Sequence, residues 1–404
     1  MALTAEPQAA ARQASLRRHN LGVVFQLIAG SPEPLSRAEL AARATLTRAT
    51  ATALVDQLVR AGIVEEMDQR VSGRAGRPAI PVRAARGTMV GLGLEVNVDY
   101  LGARAIDLAG EVIAERIEPD DFSGRAPEDV LGELARVCRT VRAAATRRHA
   151  RVLGAALAVP GPVDRPLGPL RLAPNLGWVD VDVATPLGRA LRVPLFKVDN
   201  EASLAARAEL AARDSSTASA LAKGFIYVSG GIGIGAGIVE PGGVYGGAHG
   251  WAGEIGHVAV YPNGRVCRCG SKGCLEQYAG RRAIAAGAGL GADTAAAAIA
   301  QRAGDGHPPT LAALHRAGVA LGIALAGAVN LMDIPAVVLG ADLALLAPYV
   351  SDDVAAQLRQ RVLALHWSGR SEAVLPAVAP ALPAMTGAAL IVTDSVVSDP
   401  AAYL

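Results

Sequence analysis

From Met89 onward the chain alternates short apolar runs with stretches of helical period, and that alternation admits few folds. Val90–Leu94, Tyr100–Asp107 and Glu111–Glu115 read as strands joined by turns, and Pro127–His149 reads as a helix. Val152–Val159 and Leu195–Val198 read as buried strands, and the Ala-rich Glu201–Arg213 as a helix. Phe225–Val239 is a glycine-laced strand pair, Thr310–Met332 a long helix and Val337–Gly340 another short buried strand. Apolar strands without polar alternation are covered on both faces, and helices are the usual cover. The expectation is α/β lobes from residue 87 to the end of the 404-residue chain. No fixed-period repeat and no long low-complexity segment is visible.

The first 86 residues are built differently. They carry 12 Arg against 7 Asp/Glu, whereas the remainder is mildly acidic, within a net charge of only +2. A basic head on an acidic body suggests a polyanion partner, although an Arg-rich chain also has basic stretches without one. Residues 1–13 read as a disordered arm, and Leu16–Ala29 as a helix with Leu16, Val23, Val24 and Leu27 at helical spacing. After the break Ser31-Pro-Glu-Pro34, Ser36 and Glu39 fit a capping box, opening a helix that runs to about Ala44. The turn Thr45-Leu46 leads to Thr47, a second N-cap, and to a helix that ends at Gly62. Glycine is common where Thr45 stands. Ile63–Arg83 reads as a hairpin with its tip at Ser72–Arg77, followed by Pro78. Two capped helices and a hairpin make a winged helix-turn-helix. Its second helix would offer Arg48, Thr50, Ala51 and Thr52 to a major groove, and the tip would offer Arg74 and Arg77 to phosphates or the minor groove. The alternative is a helical module that docks proteins.

The N-terminus lacks the apolar core of a signal peptide. The most apolar long stretch, Leu331–Val350, is broken by Asp333, Pro335 and Asp342. These features predict a cytoplasmic chain with no membrane partner. Three of the four cysteines crowd into Cys267–Cys274, which in that compartment favours metal over disulfide. His257, Cys267, Cys269 and Cys274 have the composition of a closed structural zinc site, with Gly270 and Gly273 shaping the loop. The bland alternative is that small buried cysteines fill space.

Polar residues also stand between the apolar strands: Asn175, Asn200, Glu201, Glu254, His257 and Glu276. Paired amides and carboxylates suit a polyhydroxylated ligand, because each hydroxyl both donates and accepts. Singly, each is equally a cap or a solvated side chain, and spacing does not say whether they meet.

The chain resembles the ROK family (repressor, open reading frame, kinase) from about Leu16 to its C-terminus. The carrying residues are Leu16-Arg-Arg-His-Asn20, Gly76-Arg-Pro78, Val159-Pro-Gly-Pro-Val163, Asn200-Glu-Ala-Ser203, Gly230–Gly235, Ala252–His257 and Cys267–Glu276. The resemblance implies a two-lobed actin-like or hexokinase-like ATPase fold behind the winged head. The expected division is 1–86 for the head and 87–404 for the sugar-binding domain. Its lobes would be about 87–199 with the C-terminal helix, and about 200–380. The resemblance places sugar contacts on Asn200, Glu201, Glu254, His257 and Glu276, with Gly161 and Asn175 nearby. It places structural zinc on His257 and the three cysteines.

Departures from the family's kinases are as informative. Their phosphate loop, of the type Asp-x-Gly-Gly-Thr-Lys, is here Glu95-Val-Asn-Val-Asp-Tyr100. Asn97 and Val98 replace the paired glycines, Asp99 adds negative charge and Tyr100 removes a cation. Glu201 stands at the position of the kinase base, one methylene longer than aspartate. Leu339-Gly-Ala-Asp342 lacks a glycine of the adenosine-side turn. Phosphoryl transfer is mostly positioning and electrostatics. The reading is therefore a non-enzymatic, sugar-responsive transcriptional regulator, a repressor in the commoner arrangement. Its expected partners are an operator DNA, a sugar or sugar-phosphate effector and a second copy in a homodimer or homotetramer. The alternatives are a working hexose kinase with a regulatory head, and a protein-docking partner.

Overall fold

The computed structural model describes residues 5–68, 80–213, 221, 224–334, 336–366 and 373–404. The head contains α1 (Ala5–Ala29), β1 (Leu35–Ser36), α2 (Arg37–Arg43), α3 (Arg48–Arg60), β2 (Val64–Glu66) and β3 (Pro81–Ala84). Helix α1 starts at Ala5, so the expected disordered arm is helical over most of its length. Ser36 closes the capping box, its hydroxyl accepting from the Glu39 amide while the Glu39 carboxylate accepts from the Ser36 amide. Thr47 accepts the Thr50 amide at 3.1 Å. Thr45 lies at φ +55°, the left-handed conformation that makes glycine common in this turn. Strands β1, β3 and β2 form one antiparallel sheet, the base of the wing. The wing tip with Arg74 and Arg77 lies outside the described residues.

Two five-stranded sheets follow. The first has the order β10-β7-β4-β5-β6, from β4 (Met89–Val96), β5 (Tyr100–Asp107), β6 (Val112–Pro119), β7 (Arg151–Val159) and β10 (Leu195–Asn200). The second has the order β13-β12-β11-β14-β15, from β11 (Phe225–Gly230), β12 (Ile234–Glu240), β13 (Gly243–Tyr245), β14 (Ala336–Ala341) and β15 (Ala373–Pro376). Each is an antiparallel meander extended by two parallel strands. The topology is thus duplicated although the sequence shows no repeat. A small hairpin, β8 (Leu170–Ala173) and β9 (Trp178–Val181), with the helix α5 (Ala184–Leu191), intervenes in the first lobe.

Helix α4 (Pro127–Arg147) covers one face of the first sheet, and the C-terminal helix Pro383–Ser398 covers the other. The close approach explains the glycines of β4. A Cβ on Gly93 would lie 1.8 Å from the Met385 carbonyl oxygen, and one on Gly91 2.5 Å from that of Ala389. The second sheet packs against α6 (Glu201–Ala212) on one side and the helices Pro308–Met332 and Asp342–Arg361 on the other. Pro308–Met332, rather than Leu331–Val350, is long and apolar enough to cross a membrane. Its Leu314, Leu321 and Leu325 are fully buried in the second-lobe core, as in a core helix of a globular domain.

The head shares a core with the body. Leu21, Val24, Phe25 and Ile28 of α1 join Val392 and Val396 of the C-terminal helix and Tyr227 of β11 in one cluster. Arg18 Nε donates to Asp399 at 2.8 Å, and the Thr88 hydroxyl donates to the Gly62 carbonyl at 2.6 Å.

Candidate functional site

A cleft of about 220 Å³ opens between the lobes. The ends of β4, β7, β10, β11 and β14 converge on it, so residues that are only apolar strands in sequence carry their polar flanks to one place. All seven residues expected to touch sugar line it: Gly161, Asn175, Asn200, Glu201, Glu254, His257 and Glu276. Asn200 is the N-cap of α6, its Oδ1 accepting the Ala202 amide at 2.8 Å, while its Nδ2 donates to the Gly161 carbonyl at 3.2 Å. Gly161 holds φ +109°, and a Cβ there would lie 2.1 Å from the Leu172 carbonyl oxygen. Only glycine brings these backbones together.

The cleft is acidic. Burial, reinforced by Glu95, Asp99, Glu254 and Glu276, pushes the Glu201 carboxyl up to about 8. Burial likewise raises Glu95 and Glu254, each to about 7. Glu276 is raised by burial as well, opposed by His257 and by hydrogen bonds from the Ile234 amide and Asn175.

The first-lobe turn is filled as its sequence predicts, and the filling is bonded. Asn97 Nδ2 donates to Glu201 Oε2 at 2.9 Å, and Asn97 Oδ1 accepts the Val98 amide at 2.7 Å. Val98 is buried in the first-lobe core. The Tyr100 hydroxyl donates to Glu95 Oε1 at 2.5 Å, so the first and last positions of the loop pair with each other. Asp99 receives a hydrogen bond from Arg281 Nη2 at 2.8 Å, and Arg281 Nη1 donates to Asp342 Oδ2 at 3.1 Å. This strut between the lobes is not foreseen from sequence. Arg281 follows Gly280 as the first residue of a short helix, and nothing local marks its two partners.

Beside the cleft, His257 Nδ1 and the sulfurs of Cys267, Cys269 and Cys274 lie within 4.8 Å of one another. Cys269 and Cys274 sulfurs are 3.7 Å apart, and Cys267 sulfur lies 3.9 Å from His257 Nδ1. A tetrahedron with metal–sulfur bonds of about 2.3 Å has edges of roughly 3.8 Å, so the donor set fits a metal of zinc's size. Gly270 and Gly273 sit at φ +92° and +73°, and a Cβ on Gly273 would lie 1.7 Å from the Tyr261 carbonyl oxygen. The other ring nitrogen of His257 faces Glu254 at 4.0 Å, so one imidazole joins the Cys/His cluster to the cleft.

In the head, Arg48 and Thr50 are exposed and Thr52 is half-buried. Ala51 is fully buried, with Leu54, Val55 and Leu58, and so offers nothing to a groove. Expecting it on the outer face overlooks the i, i+3, i+4, i+7 stripe that these four residues form. The Thr50 hydroxyl lies 2.8 Å from that of Thr47, within the cap itself.

The ROK family profile matches residues 92–395, and an IclR helix-turn-helix profile matches residues 22–68. A xylose repressor of Caldicellulosiruptor bescii is 32% identical over 251 residues, 62% of this chain and 61% of its own. An N-acetylglucosamine repressor of Escherichia coli O157:H7 is 28% identical over 269 residues, 67% of this chain and 64% of its own. The chain thus spans less than two thirds of the length of these relatives. The crystal structure of a ROK family transcriptional regulator, a homolog of the E. coli Mlc protein, covers 95% of this chain and 97% of its own. Its TM-score is 0.76 at 23% identity, which is a likeness of fold.

Proposed function

We propose, on the premise that this chain belongs to the ROK family, that it is a sugar-responsive transcriptional repressor. The head binds an operator, through Arg48, Thr50 and Thr52 of α3 and through Arg74 and Arg77 of the wing. The cleft binds a sugar. The observation that carries the reading is a contrast within one cavity. The side chains suited to sugar hydroxyls converge, while the turn that would receive nucleotide phosphates is filled by Asn97, Val98 and Asp99. Binding without turnover is the function of a sensor. The shared core of α1 and the C-terminal helix gives cleft closure a route to the head, and coupling through it is reciprocal between sugar and DNA. A homodimer on a palindromic operator, in the cytoplasm, completes the proposal.

Zinc on His257, Cys267, Cys269 and Cys274 is structural in this reading. Four protein ligands leave no position for a reacting water, so the ion fixes the loop that carries His257 and Glu276.

The test is anisotropy titration of operator DNA with and without sugar. Glu254→Ala removes an acceptor of sugar hydroxyls but nothing on the head, so DNA binding survives and the sugar response disappears. Arg48→Ala and Arg77→Ala weaken DNA binding, flatten its salt dependence and leave sugar affinity unchanged. If both arginine variants bind operator normally, the head is a docking module. A coupled assay showing sugar- and ATP-dependent turnover abolished by Glu201→Ala would make the protein a kinase.

A further inference from the structure

We propose that the effector of this cleft is an unphosphorylated sugar and that the cleft rejects the phosphate ester of the same sugar. The inference rests on the sensor reading and narrows it to one class of ligand.

Four carboxyl side chains, Glu95, Glu201, Glu254 and Glu276, line the cleft, and among the described residues no Lys or Arg does. Of the nearby cations, the exposed Arg268 acts on Glu276 from outside the lining, and two more are already engaged. Arg281 is held between Asp99 and Asp342, and Lys197 Nζ lies 2.5 Å from Asp199 Oδ2. A phosphate dianion is ordinarily met by a cation or by free backbone amides at a helix N-terminus or a glycine turn.

At each such place a backbone amide is held by one of the protein's own side chains. At the start of α6, Asn200 Oδ1 accepts from both Ala202 and Ser203. In the β4–β5 turn, Asn97 Oδ1 holds the Val98 amide. In the β11–β12 turn, the Glu276 carboxylate accepts the Ile234 amide and sits against the glycines, 2.9 Å from where a Cβ on Gly233 would be. The place where that turn would cradle an anion is taken by the protein's own anion.

A neutral polyol meets none of these obstacles. Asn175 and Asn200 donate and accept, and the carboxylates accept. Glu201, raised by burial to about 8, keeps a proton at neutral pH and can donate too. Either protonation state of these acids suits hydroxyls, whereas those that are ionised repel a phosphate, and like-charge juxtaposition weakens binding steeply.

The experiment uses the whole 404-residue chain. Thermal-shift screening with D-xylose, D-glucose and N-acetylglucosamine identifies the free sugar that binds. Calorimetric competition then asks whether its own 5- or 6-phosphate ester displaces it. Displacement should need more than tenfold, and on the order of 100-fold, higher ester concentration. An ester that is competed by inorganic phosphate yet leaves the free sugar bound sits outside the cleft and also supports the proposal. An ester that displaces the free sugar within tenfold of its affinity overturns the proposal and leaves the sensor reading standing. So does an ester that binds, with loss on Glu254→Ala, where no free sugar does. Binding of neither class removes both.

Discussion

The β4–β5 turn of the first lobe and the β11–β12 turn of the second occupy equivalent places in two sheets of one topology. The second carries Gly231 and Gly233, and its concave side holds the Glu276 carboxylate. The first carries Asn97, Val98 and Asp99, each fixed: to Glu201, to the core and to Arg281. One turn is kept small so that another element enters it, and the other is filled by its own side chains. The difference shows how a two-lobed cleft can lose one ligand and keep another. The groups proposed to face sugar come from the start of α6, from the segments around Gly161 and Asn175, and from the stretch between Glu254 and Glu276, not from the first turn, so filling that turn leaves them in place.

The largest break in this comparison comes from the metal. Glu276 reaches the second turn only because it follows Cys274 in a loop that the Cys/His set closes. Purified protein should hold about one zinc per chain, and Cys269→Ser should lose it together with several kcal/mol of stability and about 100-fold in sugar affinity. Elemental analysis, denaturant midpoint and calorimetry read the three effects. Full zinc occupancy in the variant would remove the site.

Next is the filled turn. Val98→Gly opens a cavity in the first-lobe core and loosens the backbone, at about 2–3 kcal/mol. The matching change in the other turn, Gly231→Ala, meets nothing within 4 Å and should cost less than about 0.5 kcal/mol. Equal midpoints for the two variants would mean that the turns do not differ in the way described.

A third prediction concerns charge. Native Glu201 titrates near 8 against an unfolded value of 4.5, so it retains a proton that the unfolded chain has released. Its contribution to stability is fully present below pH 4.5 and is lost as pH rises through about 8. Urea midpoints should therefore fall between pH 5 and pH 8, and less steeply in Glu201→Gln. An unchanged slope would show that the Asn97 hydrogen bond holds the carboxylate ionised.

The strut is a smaller matter. Arg281→Ala leaves Asp99 and Asp342 without their shared cation. Asp99 is 42% exposed, so water replaces much of the loss and the cost should be about 1 kcal/mol. A cost above about 3 kcal/mol would mark the strut as a buried pair.

What sequence could and could not tell follows the range of the interactions. The caps of α2 and α3 are local, and Ser36, Glu39 and Thr47 announce them. The proposed metal ligands lie within eighteen residues, from His257 to Cys274, and their residue types suggest them. Ala51 was also legible, since its stripe with Leu54 and Leu58 marks the inner face of α3. Arg281 was not, because its partner Asp99 is 182 residues away. The duplication was hidden for a related reason. The second lobe inserts the metal loop and several helices between β13 and β14, where the first has only α4 between β6 and β7, so no common period survives.

The smallest effect is the one that tests the comparison at its far edge. Ala341 ends β14, pairs in register with Gly230 before the second turn, and lines the cleft. Its backbone sits at φ +51°, ψ −131°, a region that side chains avoid and glycine occupies freely. Holding a non-glycine residue there costs roughly 1–3 kcal/mol. Ala341→Gly relieves that strain but gives the unfolded chain more freedom, worth about 0.4–1 kcal/mol in the other direction. The net expectation is a stabilisation of about 1 kcal/mol, read as a higher urea midpoint at unchanged slope. The neighbouring exchange, Gly340→Ala, should do the reverse, because its Cβ would lie 2.0 Å from the Tyr227 hydroxyl. A lower midpoint for Ala341→Gly would mean that the methyl group contributes more by packing than its backbone loses by strain. The alanine would then be a filler of the cleft in the same sense as Val98.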